Sequence, residues 1–178
     1  MRIKSLLLGT LLGGLTALVW STISWEAIGW HEKPMLGFQN DREVAAVISS
    51  HTVQDGTYLL PYGPADDPSL MDRMRKGPLV VAAVRRGGFG SFAKGMAIQV
   101  LSLLAAAFLL TWLVLQTSGL SYARRVVFLA AIGLAASVIV DLPNWNWWGF
   151  SGSFTAINLA DNTLTWMLAG LVIAKVAK

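Results

Sequence analysis

The sequence predicts an all-α membrane protein, a four-helix transmembrane bundle with both termini in the cytoplasm and a small α/β extracytoplasmic domain between helices 1 and 2. Three observations lead there. Four stretches are long and apolar enough to cross a bilayer, and the short hydrophilic segments on one side carry basic residues without acids. The stretch 25–95 instead mixes eight basic with eight acidic residues. Composition agrees: 54% of residues are hydrophobic and only 13% are charged, against roughly 25% charged in soluble domains. Mean hydropathy is +0.56.

A hydrocarbon core of about 30 Å requires roughly 20 residues of helix, because the backbone must satisfy its own hydrogen bonds there. Ser5–Ser24 meets this as helix 1. The same region has the outline of a secretory leader, with Arg2 and Lys4 before Leu6–Val19. No Ala-x-Ala-like site follows and Trp20 and Trp25 flank the relevant positions, so an uncleaved anchor is expected. Gly9 and Gly13 make a Gly-x-x-x-Gly spacing that admits close helix packing.

Residues 25–95 read as the extracytoplasmic α/β domain. Asn40 and Glu43 have the spacing of a capping box ahead of Val44, Val47 and Ile48, which predicts a helix over 41–50. Thr57–Tyr62 reads as a strand. Asp67 as cap and Pro68 at the first position predict a second helix, stopped by Gly77 and Pro78, and Leu79–Val84 reads as a second strand. The order is helix, strand, helix, strand. A domain this small buries little surface and is expected to lean on the membrane helices or on a partner.

Helix 2 is predicted over 97–116, where only Ser102 and Thr111 interrupt the apolar run after Gln99 and before Gln116. Helix 3 covers 126–142, a Trp-rich outer loop covers 143–155, and helix 4 covers 156–176. The basic residues set the orientation, since short cytoplasmic loops collect Lys and Arg. Arg2 and Lys4 precede helix 1, Arg124 and Arg125 separate helices 2 and 3, and Lys175 and Lys178 close the chain. Trp20, Trp25, Trp145, Trp147 and Trp148 then fall at outer helix ends as interface anchors.

In helix 4, Asn158, Asp161, Asn162 and Thr165 follow the i, i+3, i+4, i+7 spacing and share a polar face. Such a face must turn from lipid toward another helix, a wet cavity or a partner. Asp161 is expected about 7–8 Å inside the outer end of helix 4, at 1.5 Å per residue. Gln99 on helix 2 is the expected hydrogen-bond partner and Lys94 the possible counter-ion.

Several chemistries find no support. With no cysteine, the chain has no disulfide, thiolate metal site or thiol nucleophile. His31, Met35, Met71 and Met74 carry ligand atoms that suit Cu(I), yet Pro34 and Gly37 spoil the first pair's helical spacing and the second pair fits a buried helix face. No metal and no cofactor are therefore expected. Gly-x-Ser-x-Gly is absent, and 85–90 has glycines and charge but not the Walker lysine and serine. Despite a net charge of +4, basic residues are scattered over short segments, so nucleic acid is not an expected partner.

The expected partners are the lipid bilayer and either a membrane protein or a second copy. The first expectation for function is a non-enzymatic accessory or scaffold protein of a bacterial inner-membrane assembly. A small transporter or channel component using the polar face of helix 4 is the second, and a periplasm-facing copper-handling protein or membrane enzyme the third.

Overall fold

A computed structural model of the chain describes residues 3–117 and 119–177. Arg2 and Lys178, two of the residues used to orient the chain, lie outside the described residues. The structure is 70% helical. Four helical segments are long and apolar enough to cross a membrane: Ile3–Ile28, Phe92–Gln116, Tyr122–Trp148 and Gly152–Val176. The first is a regular helix α1, Ile3–Thr22, prolonged by a π-helical stretch Ile23–Ile28 and closed by Gly29 in the left-handed region at φ 61°. The others are α4, α5 and α6.

These helices start four or five residues before the apolar runs do, for one shared reason. Ser91, Ser121 and Ser151 each accept, through Oγ, a backbone N–H from the first turn, donated by Lys94, Arg124 and Phe154. An N-cap serine of this kind satisfies one of the orphan donors of a helix start. Hydropathy ignores such polar first turns.

A larger departure concerns the stretch 143–155, expected as a loop. Helix α5 continues through Pro143 to Trp148, and only Gly149, at φ 75°, to Ser151 separate it from α6. Proline removes one N–H and so one i→i−4 bond, but the turns after it are intact. Trp145, Trp147 and Trp148 are thus carried on the last turns of a helix.

The helices pack side by side in the order α4, α1, α6, α5, each antiparallel to its neighbour. Glycines set the close approaches. A Cβ added at Gly9 would meet the Thr111 side chain of α4, one at Gly13 would meet Ile173 of α6, and one at Gly133 of α5 would lie 2.7 Å from the Asn162 carbonyl oxygen of α6. The Gly9 and Gly13 spacing is therefore used inside the chain, on two different neighbours. The apolar core, built on Ala17, Leu110, Val114, Leu129, Ala169 and Ile173, draws on all four helices. At the end carrying both termini, Arg125 donates to the Ala177 carbonyl at the α6 C-terminus, placing a cation where the helix dipole favours one.

Between the first two spans lie α2 (Asp41–His51), β1 (Gly56–Leu60), α3 (Leu70–Lys76) and β2 (Val80–Val84), in the predicted order. The strands form an antiparallel pair with Gly56 opposite Val84 and Leu60 opposite Val80. Asn40 and Glu43 make the capping box, with Asn40 Oδ1 accepting from Glu43 N at 3.2 Å and Asn40 Nδ2 donating to Glu43 Oε2 at 3.0 Å. The second helix starts later than expected. Asp67 Oδ1 accepts both the backbone N–H and the hydroxyl of Ser69, forming a turn before Leu70 rather than a helix cap.

Those bonds from Ser69, aided by Arg73 Nη2 at 2.6 Å, hold the Asp67 carboxyl below the ordinary aspartate range. A lowered pKa stabilises the turn above the ordinary range and loses that contribution as pH falls through the lowered value. An NMR titration should place the Asp67 midpoint below the ordinary aspartate range, and Ser69→Ala should raise it.

From Glu32 to Met96, only Thr52 and Pro61 are buried. This part has secondary structure but no apolar core. Met71 is exposed and Met74 half-buried, so the expected buried methionine face is not formed.

Candidate intramembrane polar site

The polar residues of α6 do not line one path. Helix α6 lies between α1 and α5, and their shared stripe is divided between the two. Asp161 turns to α1, whereas Asn158 and Asn162 turn to α5. Thr165 returns its hydroxyl to the Asp161 carbonyl at 2.8 Å, within its own helix. Because α6 starts at Gly152, Asp161 sits about 13 Å along the helix from its first residue, further in than expected.

On the α1 side, Asp161 Oδ1 accepts from Trp20 Nε1 at 2.7 Å and from Ser24 Oγ at 2.8 Å. Its Oδ2 lies 3.4 Å from His31 Nε2. Ser24 also accepts from Trp30 Nε1 at 2.8 Å and stands 3.1 Å from His31 Nε2. The local chain explains how residues seven apart converge. The wide π-helical turn carries the backbone past Ser24, and Gly29 in the left-handed region folds Trp30 and His31 back onto it. Glycine adopts that conformation without the penalty a Cβ brings. His31, only 2% exposed, is stacked on Trp25 at 4.2 Å and met edge-on by Trp30.

An ionised Asp161 accepts only, and with the Ser24 hydroxyl donating to it the hydrogen-bond geometry suits the His31 tautomer that carries hydrogen on Nε2. His31 Nδ1 is buried without a partner. Serine, histidine and aspartate are all present, but hydroxyl and carboxylate meet the same ring nitrogen. A nucleophile relay needs them on opposite nitrogens. The arrangement is a clasp that holds the root of the sheet-bearing segment to α6.

On the α5 side, Ser137 Oγ donates to Asp141 Oδ2 at 2.5 Å and accepts from Asn162 Nδ2 at 2.7 Å, and Asn158 Nδ2 donates to Asp141 Oδ1 at 3.2 Å. Asp141 and Ser137 are buried. Asp141 and Asp161 are thereby both hydrogen-bonded, as groups sheltered from water require.

Other expected site residues fall elsewhere. Gln99 is exposed in a shallow groove beside Ser21, Thr22, Glu26 and Phe92, and does not bond Asp161. Lys94 is exposed and makes no ion pair with it. Each lies on α4, which is separated from α6 by α1 at this level. Trp20 and Trp25 serve the clasp, while Trp145, Trp147 and Trp148 stay exposed. Met35 is exposed, so it does not join the buried His31 as a ligand pair.

Ser24, Trp30, Ser137 and Asp141 belong to the two networks and have no distinctive local motif. Only two signals were open to reading: polar residues at the end of a lipid-length helix, and the i, i+4 pair Ser137 and Asp141. No known family model matches the chain, and no curated protein or solved structure does either.

Proposed function

We propose that the protein is a non-enzymatic accessory or scaffold subunit of a bacterial cytoplasmic-membrane assembly. Both termini lie in the cytoplasm, and the sheet-bearing segment lies outside, where it docks a membrane-protein partner or a second copy. The observation that carries this reading is the segment's apolar surface. Leu36 is 93%, Val53 85% and Tyr62 78% exposed, with Phe38 and Phe89 also uncovered, in a stretch that has no core of its own. Large side chains left this open in a segment without a core are what a docked partner would cover. The clasp supports the same reading, because a docking segment must be held in register with the bundle. Orientation rests on Lys4, Arg124, Arg125 and Lys175, which gather without acids at one end.

Purification in mild detergent followed by native mass measurement tests the proposal. The expected species exceeds one 19.2 kDa chain, and photo-crosslinkers at Phe38 and Tyr62 capture the same neighbour, whereas one at Leu8 on the lipid-facing side of α1 does not. A monodisperse monomer without crosslinks from the segment overturns it. Reporter tags at the two chain ends should both read cytoplasmic, and opposite readings defeat the orientation.

A further inference from the structure

A second feature, independent of the clasp, lies where β2 runs into α4. A cleft of about 460 Å³ is lined by Asp55, Arg85, the glycine loop 87–90, Ser91, Lys94, Gly95 and Ile98. Arg85 and Lys94 have no ion-pair partner among the described residues, whereas the neighbouring Arg86 is engaged, its backbone N–H by Asp55 Oδ1 at 2.9 Å and its guanidinium by the Val53 carbonyl. Two free cations therefore face one opening, and the nearest acid already accepts a hydrogen bond.

Its glycines are informative. Gly88 and Gly90 both stand at φ 76°, where a side chain would be strained. Gly95 has no such need. It sits in the first turns of α4, and an added Cβ there would meet nothing within 4 Å. Glycine inside a helix costs about 0.5–1 kcal/mol relative to alanine, and packing does not account for it here. What it does is keep the cleft wall open.

Beneath the cations the lining changes character. Ile98 is exposed and belongs to the membrane-spanning helix, and the exposed Phe89 lines the opening beside it. Cationic above and apolar below, at the start of a span, the cleft matches a phosphate that carries acyl chains. We propose that it binds the phosphate headgroup of an anionic phospholipid, with Arg85 and Lys94 pairing the phosphate and Ile98 and Phe89 receiving the first part of the chains. Basic pockets beside transmembrane helices recognise anionic headgroups by this chemistry.

The purified full-length chain in detergent is titrated with phosphatidylglycerol and, separately, phosphatidylcholine, and bound lipid is read by native mass spectrometry. Phosphatidylglycerol should be retained preferentially, and Arg85→Ala with Lys94→Ala should weaken it by about tenfold or more. Removing equal charge by Arg75→Ala with Lys76→Ala should leave binding intact, which separates a local site from general attraction. Gly95→Leu should fill the cleft and abolish retention while thermal stability is kept or raised.

Equal retention of the two lipids, or undiminished binding in Gly95→Leu, overturns the proposal. Millimolar inorganic phosphate should fail to displace the lipid. Displacement by it would overturn the lipid assignment and make the cleft a site for a soluble phosphoryl group.

Discussion

Replacing Asp161 with alanine should destabilise the protein by about 2–4 kcal/mol, because it strands several polar groups at once. Trp20 Nε1, the Ser24 hydroxyl and His31 Nε2 all point at this carboxylate, and Ser24 and His31 are shut off from water. A buried donor left unpaired costs about 1–3 kcal/mol, while a hydrogen bond between membrane helices contributes on average only about 0.6 kcal/mol. The loss therefore comes mainly from the orphaned groups. The thermal midpoint in detergent should fall by about 5–15 °C for a chain of this size.

Asp161→Asn should fall between, since one amide oxygen still accepts from Trp20 and Ser24 but the amide nitrogen then faces the His31 N–H. Proteolysis between Glu32 and Gln39 should also accelerate in Asp161→Ala, because the clasp ties that stretch to α6. A double-mutant cycle with His31→Ala should show a coupling of about 1 kcal/mol or more. An unchanged midpoint together with an unchanged cleavage rate would show that the clasp carries no load.

The second large effect is expected at Gly133. A Cβ there would lie 2.7 Å from the Asn162 carbonyl oxygen and 2.8 Å from Trp166 Cδ1. The carbonyl is backbone, so relief requires α5 and α6 to move apart. That separation would stretch the bonds that join Ser137 to Asn162 and Asp141 to Asn158. Gly133→Ala should cost about 1–3 kcal/mol despite its better helix propensity, and Gly133→Leu more, as overpacking does.

Gly9→Ala is the informative contrast. Its Cβ would meet Thr111 side-chain atoms, including the methyl, and a side chain can rotate away where a carbonyl cannot. The midpoint should therefore fall less than for Gly133→Ala. Equal losses would place the α1–α4 seam on the same footing as α5–α6. Gly37→Ala, in open space, serves as the neutral control.

Much of the architecture was legible from local pattern. Spans showed as apolar length, and the capping box at Asn40 and both strands showed as short motifs with turn residues around them. Where local reading went astray, polar residues were the cause. Ser91, Ser121 and Ser151 look like loop residues to a hydropathy measure but act as caps, and Pro143 looks like a terminator although α5 passes through it. Asp67 carries a cap's chemistry and uses it one turn early, on Ser69.

The polar site was only half legible. Spacing groups Asn158, Asp161, Asn162 and Thr165 on one stripe of α6, since that follows from 3.6 residues per turn. Spacing carries no information about which helix meets that stripe. Trp20 and Ser24 lie 141 and 137 positions from Asp161, and Gln99, a reasonable partner by depth, is on a helix that does not reach it.

By itself, the order of residues determined that four segments are long and apolar enough to cross a membrane, with a mixed-charge segment between the first two. Lipid leaves an unpaired backbone no alternative to helix, so apolar length settles the matter one segment at a time. Which helices neighbour one another was settled only in three dimensions, by glycine contacts and the fold-back at Gly29. The polar stripe of α6 was thereby divided into a clasp on α1 and a network on α5, because a side chain's partner depends on packing between segments far apart in the chain.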